Sequence, residues 1–145
     1  MILYTVQHML LLRLLMHYKF QEAAAIHNLL FLVSAACSEE QALGFYDFVR
    51  KRTGAYSCSL QRVFDELIAE GLVQKGENGF RLTEKGKHIY RNLGGTLRAF
   101  PGFWEQCSSI MQRCREAEQL KERVFYNITF RRAKIGERIF DYSLF

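Results

Sequence analysis

Apolar residues follow a helical period most clearly near the middle of the chain. Five of them recur at intervals of three and four residues and so share one side of a helix: Leu60, Val63, Phe64, Leu67 and Ile68. Ser57 is suited to cap the start of this helix, because its hydroxyl can accept a hydrogen bond from an unpaired backbone N–H. Gly71 is suited to end it in the left-handed conformation, with Leu72 folding back onto Leu67. The pattern predicts a helix over residues 57–70.

A strand-type pattern follows that helix directly. Residues 72–82 contain two short runs suited to strands, and residues 76–79 between them are typical of a turn. This pattern predicts a β-hairpin. Thr83 is suited to cap a further helix, in which Gly86 would let the helix lie close to the hairpin.

Three more helices are predicted before the central one. The first covers residues 3–17 and is apolar on nearly every side, and the second covers about 21–36. Residues 38–41 fit a capping box, with a hydroxyl at the cap and a glutamine three residues later. This motif predicts a third helix over about 39–52, closed by the basic run 50–52, since a helix C-terminus favours cations.

The segment that begins at Pro101 is also predicted to be helical. Proline is favoured in the first turn of a helix, and five residues after it form an inner stripe: Phe103, Cys107, Ile110, Met111 and Cys114. The helical pattern continues through Leu120, Val124 and Ile128. The region is therefore either one long helix or two helices joined near Glu116.

The order helix, turn, helix, hairpin and helix over residues 45–90 is that of a winged helix-turn-helix. We therefore predict a mainly α-helical protein with a short β-hairpin wing, an extra N-terminal helix and a helical C-terminal extension. All 145 residues form one domain, which is large enough to bury its own core. The winged core covers 21–93, the N-terminal helix 1–18 and the extension 101–130. The basic and aromatic stretch 131–145 has no pattern that predicts a secondary structure.

The formal charge of +5 is unevenly distributed along the chain. Residues 50–100 carry ten basic and five acidic side chains, whereas residues 1–49 have a net charge of −2 and residues 101–145 one of +2. Basic surface on and after the central helix suits a polyanionic partner, most simply nucleic acid. An ordinary solvated face is the alternative, which the net charge alone does not exclude.

The winged-helix prediction places candidate contacts to double-stranded DNA on the central helix and the hairpin. Gln61 and Arg62 lie in the first turns of the helix, where side chains read base edges in the major groove. Ser57 and Ser59 are placed to donate hydrogen bonds to phosphates. Seven basic residues would form a rim of phosphate contacts around the helix and the wing: Arg50, Lys51, Arg52, Lys75, Arg81, Lys85 and Lys87.

Several short motifs carry a resemblance to a known family. They are the leucine-rich run 29–32, Phe48 ahead of Gly54-Ala55-Tyr56-Ser57, Gly71-Leu72 after the spaced leucines, and Leu82-Thr83-Glu84-Lys85-Gly86. Together they resemble the winged-helix proteins that include the Panacea, or SocA-like, antitoxins and adaptors, although Ala55 stands where that family has proline. The resemblance covers about residues 26–90. It implies either DNA-binding regulation, as in winged helices at large, or capture of a protein partner.

Protein capture is the rival function that the sequence leaves open. Asp65 and Glu66, on the outer side of the central helix, would repel phosphates, so only the first half of the helix suits a DNA groove. The same scaffold would then serve as an antitoxin-like or adaptor-like binding module without DNA. The basic excess of residues 50–100 favours DNA binding, and we predict a transcriptional regulator.

Catalysis is not predicted. The four histidines are scattered, the four cysteines have neither paired nor ligand-type spacing, and no strand leads into a glycine-rich phosphate loop. We therefore predict no enzyme, no cofactor and no metal. Free, mostly buried thiols are typical of a reducing cytoplasm, and no uninterrupted apolar run approaches the ~20 residues that span a bilayer. These features predict a cytoplasmic protein without membrane contact.

Apolar surface outside the winged core predicts a homodimer held by the terminal helices. The first helix and the extension together carry more apolar surface than a core of about seventy residues covers, and a surplus of this kind marks an interface. The alternative is that the two terminal segments pack on each other within one chain.

Overall fold

The computed structural model describes residues 4–36, 45–93, 95 and 101–140. Within them the protein is mainly helical, with two short antiparallel hairpins. The helices are α1 (Val6–His17), α2 (Ala23–Ala36), α3 (Cys58–Ala69), α4 (Glu84–Leu93), α5 (Pro101–Arg113), α6 (Ala117–Tyr126) and α7 (Ile128–Arg132). The strands are β1 (Phe48–Lys51), β2 (Gly54–Ser57), β3 (Val73–Gly76) and β4 (Gly79–Leu82). The prediction of a mainly helical protein with a short hairpin is confirmed at this level.

The first two predicted helices are confirmed as α1 and α2. α1 begins after Thr5, whose side chain accepts a hydrogen bond from the His8 N–H at 3.4 Å, while the His8 ring accepts one from the Thr5 N–H at 3.0 Å. This reciprocal pair is a capping box with histidine in the place of glutamate. α1 is buried on most sides because it packs against α3, α4 and β4.

The predicted third helix is wrong over the part that the structure describes. Residues 45–47 are not helical, and β1 occupies residues 48–51. The basic run 50–52 therefore lies on a strand and the turn after it, where it closes no helix. Residues 54–57, predicted as the turn between two helices, form β2. The capping-box motif 38–41 lies outside the described residues.

Long-range contacts explain why a hairpin stands where a helix was predicted. β1 pairs antiparallel with β2, with Phe48 opposite Ser57. Gly54 has a φ of +124°, a backbone conformation that other residues rarely adopt. The Asn28 side chain of α2 accepts a hydrogen bond from the Ala55 N–H at 3.0 Å, which attaches β2 to α2. The local periodicity of the sequence does not predict this contact, because Asn28 is distant from β2 in the chain.

The C-terminal stretch, for which the sequence predicted no structure, adds to the free edge of β1. Backbone hydrogen bonds of 2.7 to 2.9 Å join residues 136–139 to β1, and Arg138 pairs antiparallel with Val49. The Phe140 ring then packs against the Phe31 ring of α2, with centroids 5.3 Å apart. We call residues 136–139 the edge segment. β1, β2 and the edge segment together form a small three-stranded surface.

The central helix α3 has both caps that the sequence predicted. At its start the Ser57 side chain accepts a hydrogen bond from the Leu60 N–H at 3.0 Å. At its end Gly71 takes a φ of +76°, and the Leu72 N–H donates to the Leu67 carbonyl at 2.9 Å. Local chemistry at both ends therefore sets the length of α3.

The one hairpin that the sequence predicted is confirmed as the second hairpin of the structure, and we call it the wing. The predicted helix after it is also confirmed. β3 and β4 pair antiparallel, with Val73 opposite Leu82. The Thr83 side chain accepts a hydrogen bond from the Gly86 N–H at 3.1 Å and so caps α4. Gly86 lies directly against the Leu72 carbonyl, where a Cβ atom would overlap the oxygen. Its missing side chain lets α4 pack close to the wing.

Residues 101–140 contain two longer helices followed by a short one. α5 begins at Pro101 as predicted, and α6 begins after Glu116, so the two-helix alternative is confirmed. Both helices pack against α2. Ile128, predicted to continue the inner stripe, is 66% exposed instead. The stripe is interrupted because α6 ends at its C-cap Asn127, which also caps α7.

Much of the apolar surface that motivated the dimer prediction is buried within this one chain, although Trp104, Ile110 and Met111 are only partly buried. α1 packs against α3, α4 and β4, while α5 and α6 cover α2. Arg13 of α1 lies over the Trp104 ring of α5 at 4.1 Å, which joins the two terminal segments. Ile68, at the edge of the α3 stripe, is 39% exposed. This packing favours the one-chain alternative, and the homodimer stays a prediction for measurement in solution.

Candidate nucleic-acid interface

α3 presents one face to solvent beside the end of β2. A shallow groove runs along it, lined by Tyr56, Cys58, Gln61, Arg62, Asp65, Glu66 and Ala69. We call this the α3 groove. The helix has 12 residues and is therefore about 18 Å long at 1.5 Å per residue. Its first half carries the cation Arg62 and its second half the carboxylates Asp65 and Glu66, so the charge changes sign along the groove.

A buried histidine from α2 holds the first half of this face. His27 Nδ1 accepts a hydrogen bond from the Ser57 N–H at 3.0 Å, so the ring proton is on Nε2, which donates to Gln61 Oε1 at 2.9 Å. The Gln61 amide in turn donates to Asp65 Oδ1 at 2.9 Å. The His27 ring stacks on the Tyr56 ring, with centroids 4.6 Å apart and an interplanar angle of 11°. Gln61 is thereby fixed between two internal partners.

Burial keeps His27 neutral. The side chain is 1% exposed, and this desolvation lowers its pKa below the ordinary 6.5. The hydrogen bond to Gln61 and the nearby carboxylates of Asp47 and Asp65 oppose the shift only in part. The low pKa agrees with the hydrogen bonds, in which one ring nitrogen accepts and the other donates.

A second buried histidine, from α1, holds the other half of the face. His8 Nδ1 accepts a hydrogen bond from the Thr5 N–H at 3.0 Å, and His8 Nε2 donates to Glu66 Oε2 at 2.7 Å. The side chain of His8 is 4% exposed and that of Glu66 is 35% exposed. α1 and α2 thus each fix one polar residue of the α3 groove through a histidine.

The N-terminus of α3 carries its own anion. Asp47 accepts hydrogen bonds from the Ser57 hydroxyl, from the Ser59 N–H at 3.0 Å and from the Ser59 hydroxyl at 2.6 Å. Burial acts to raise the pKa of Asp47, but the hydrogen bonds from Ser57 and Ser59 outweigh it and hold the pKa below its ordinary value. The helix macrodipole also favours a carboxylate at this end. Asp47 therefore fills the position that an outside phosphate would take.

These contacts change which of the predicted α3 residues are available to a partner. Ser57 is buried and, like Ser59, is bonded to Asp47. Gln61 is held by the internal partners described above. Arg62 is exposed on the first half of the α3 groove, where it is placed to meet an anion from outside.

Arg50, predicted as a phosphate contact, holds the C-terminal stretch instead. Its Nη1 donates to the carbonyls of Ala133 at 2.8 Å and Arg131 at 3.3 Å. The guanidinium also lies over the Phe130 ring of α7, 4.8 Å from the centroid. Its charge is therefore directed at carbonyls of the protein itself, where it positions α7 against β1.

The face of this small sheet opposite to Arg50 is partly exposed and adjoins α3. Arg138 of the edge segment, Val49 of β1 and Tyr56 of β2 are cross-strand partners, so their side chains share this face. Lys51 lies on it as well, two residues after Val49, with Nζ 5.9 Å from the Tyr56 ring. Because Tyr56 also lines the α3 groove, the face continues into the first half of α3, where Arg62 is exposed.

We call this continuous surface the basic face, and it consists of Lys51, Arg52, Tyr56, Arg62 and Arg138. Arg52 is exposed in the turn between β1 and β2. The cations of the basic face therefore come from the first hairpin, from α3, which follows it directly, and from the edge segment about eighty residues later in the chain.

The remaining predicted contacts lie on the wing and on α4. Lys85 Nζ donates to the Glu70 carbonyl at 3.1 Å, at the C-terminus of the helix. Lys75 and Arg81 are exposed on the wing, and Lys87 forms an ion pair of 3.4 Å within α4. Among the predicted cations, Lys85 is therefore the one that contacts the C-terminal end of α3, while Lys75 and Arg81 lie on the wing and Lys87 on α4.

The residues that sequence analysis missed have partners that are distant in the chain. His8 lies 58 residues from Glu66, and His27 lies 34 residues from Gln61. Arg138 belongs to a stretch for which no secondary structure was predicted. The signal that could have found the histidines is a polar residue inside a predicted apolar helix, since a buried polar group needs a partner.

Among the described residues, no three His, Cys, Asp or Glu side chains are placed to hold a metal ion. Cys107 and Cys114 are buried as predicted, while Cys58 is exposed. No helix in the described part of the chain is long and apolar enough to cross a bilayer.

No model of a known protein family, no characterised protein and no solved structure matches this chain. The winged-helix resemblance of residues 26–90 therefore stays a prediction based on the motifs. The α3 groove and the basic face are the features of the structure that bear on function.

Proposed function

We propose that this protein is a winged-helix regulator that binds double-stranded DNA through the basic face. One observation carries the proposal: the first hairpin places Lys51 close to Tyr56, which lines the first half of the α3 groove, and the edge segment adds Arg138 to the same face of the sheet. Lys51 Nζ lies 5.9 Å from the Tyr56 ring, and Arg62 lines the same groove as Tyr56. Arg138 lies on the same face of the sheet, one strand further from Tyr56. Basic side chains grouped in this way suit the negative phosphate backbone.

The order of α3, the wing and α4 supports a winged-helix arrangement. In such an arrangement a helix enters the major groove and a hairpin contacts the DNA backbone. Here the first half of α3 carries Arg62, and the wing carries Lys75 and Arg81. The hairpin β1–β2 adds phosphate contacts from Lys51 and Arg52 at the opposite end of the helix.

Most of the proposed contacts go to phosphates. Gln61 was predicted to read base edges, but His27 and Asp65 already occupy its side chain. Base reading on α3 then falls to Arg62, whose guanidinium suits the two acceptors of guanine in the major groove. We therefore propose a modest sequence preference together with a strong dependence on charge.

Fluorescence anisotropy with a labelled genomic duplex tests the proposal. Replacing Lys51 and Arg62 together with glutamine should weaken binding about tenfold or more, since both side chains lie on the basic face. Lys121→Gln with Arg123→Gln is the matched control, because it removes two positive charges from α6, outside the basic face. Equal weakening by both pairs would show that net charge alone matters and would refute the basic face.

Protein capture is the second candidate function. The second half of the α3 groove carries Asp65 and Glu66, which would repel phosphates, and the resemblance to antitoxins and adaptors points the same way. Asp65→Asn discriminates between the two. If α3 faces DNA, the wild type binds the duplex at low salt and this neutral variant binds it more tightly. If α3 captures a protein, neither the wild type nor the variant binds the duplex at low salt.

A further inference from the structure

Two clefts adjoin between the C-terminal end of α1 and the wing. The first, of about 490 Å³, is lined by residues 15–19 and 76–81. The second, of about 440 Å³, extends to Lys87 of α4 and shares with the first two apolar residues of α1 and Arg81. We call the two together the wing cleft. Each lies within the range of about 300–1,000 Å³ that is typical of small-molecule sites.

Hydrogen bonds hold the walls of the wing cleft in place. The Phe80 N–H donates to the Phe20 carbonyl at 3.0 Å, and the Gln21 side chain donates to the Asn78 carbonyl at 3.2 Å. Gly79 packs so closely against the Phe20 carbonyl that a Cβ atom would overlap it. The wing is thereby attached to the connection between α1 and α2. A cleft with fixed walls binds a small molecule without the cost of ordering them.

The lining combines apolar side chains with one weakly held cation. Leu15 and Met16 supply the apolar part, and Met16 is 37% exposed. Arg81 is exposed, and its contact with Gln74 Oε1 is 3.5 Å long, at the limit of a hydrogen bond. A guanidinium held so weakly is able to exchange this contact for a carboxylate, which it binds through two parallel N–H···O bonds.

The other charges of the lining limit the charge of a ligand. Lys19 and Lys87 are positive and Glu77 and Glu84 are negative, and Glu84 pairs with Lys87 at 3.4 Å. Together with Arg81, the Lys, Arg and Glu side chains of the lining carry one net positive charge. A single carboxylate matches that charge better than a polyphosphate does.

We propose that the wing cleft binds a small amphipathic monocarboxylic acid. Its apolar body lies against Leu15 and Met16, and its carboxylate binds Arg81. The wing cleft shares no lining residue with the α3 groove or the basic face, so this inference does not rest on DNA binding. Since Arg81 is also a predicted phosphate contact of the wing, a bound acid would compete there with DNA.

NMR titration of the full chain with phenylacetate, and with its neutral isostere phenylacetamide, tests the inference. We expect phenylacetate to shift the backbone amides of residues 15–19 and 76–81 with saturation, at a Kd of about 1 mM. The amide should bind at least about tenfold more weakly, because it lacks the charge that Arg81 recognises. Arg81→Gln should reduce phenylacetate binding to the level of the amide.

Lys75→Gln is the matched control, since it removes a positive charge from the same wing outside the cleft lining. It should leave phenylacetate binding unchanged. An amide spectrum of Arg81→Gln that matches the wild type elsewhere shows that this variant is folded. Equal binding of the acid and the amide, unchanged acid binding by Arg81→Gln, or no saturable shift up to about 10 mM would each overturn the inference.

Discussion

At the scale of single residues, His8 and His27 perform the same task from two different helices. Each ring accepts a backbone N–H at Nδ1 and offers its one remaining N–H to a polar side chain of α3. A neutral imidazole is suited to this because one nitrogen accepts while the other donates. The two histidines fix Gln61 and Glu66, and Arg62 between them remains exposed.

Lowering the pH should destabilise the protein through His27. The folded protein holds this ring neutral, with a pKa below 6.5, whereas the unfolded chain binds a proton near 6.5. The stabilisation is therefore complete above pH 6.5 and is lost as the pH falls from 6.5 towards the lower folded pKa. His27→Phe should remove this part of the pH dependence. This substitution should also lower the free energy of unfolding by about 1–3 kcal/mol, because the Ser57 N–H and Gln61 lose their hydrogen-bond partner.

Urea unfolding at about pH 7.5 and about pH 5.5 measures both effects as changes in the free energy of unfolding. His88→Gln is the control for the loss of a histidine outside the contact with α3, since His88 is exposed on α4. A pH dependence that His27→Phe leaves unchanged would contradict the assignment.

The residues that were predictable from the sequence have their partners nearby in the chain. Ser57 caps α3 through the Leu60 N–H, and Thr83 caps α4 through the Gly86 N–H, each three residues ahead. Gln61 was predicted to contact DNA because the apolar stripe of α3 places it on the outer side of the helix. Its partner His27 reaches it only through folding, so no local pattern contains that contact.

At the scale of elements, the two hairpins differ in whether a local sequence pattern predicts them. The wing was predicted because a turn-rich stretch joins two strand-like runs that pair with each other. β1 gains its neighbours from β2 and also from the edge segment, which is more than eighty residues later in the chain. The sequence instead predicted a helix at β1, because the capping-box motif and the basic run are both local signals that favour a helix.

Gly86→Ala should destabilise the protein by about 2 kcal/mol or more. The added Cβ would overlap the Leu72 carbonyl, so α4 has to move away from the wing. Gly95→Ala is the matched control, since a Cβ there meets nothing within 4 Å. Urea denaturation gives the free energy of unfolding for both variants. Equal stability of the two would contradict the close packing of α4 on the wing.

At the scale of the whole molecule, the terminal helices complete the core of a single chain. Leu120 and Val124 were predicted as part of a stripe for pairing, but they are 2% and 0% exposed within one chain. We therefore expect light scattering to give the mass of one chain, 17.0 kDa, at about micromolar concentration and unchanged on dilution. A mass of two chains would instead support the homodimer that the sequence predicted.

The central claim is that the first hairpin, the edge segment and α3 bring together cations that contact DNA, most of them at its phosphates. The salt dependence of duplex affinity tests it most directly, because each phosphate contact contributes about −0.9 to the slope of log K against log salt concentration. We predict a slope of about −3 or steeper for the wild type, and a slope about two units shallower for Lys51→Gln with Arg52→Gln, which removes two proposed phosphate contacts. No duplex binding at low salt, or the same slope for both proteins, would contradict the account.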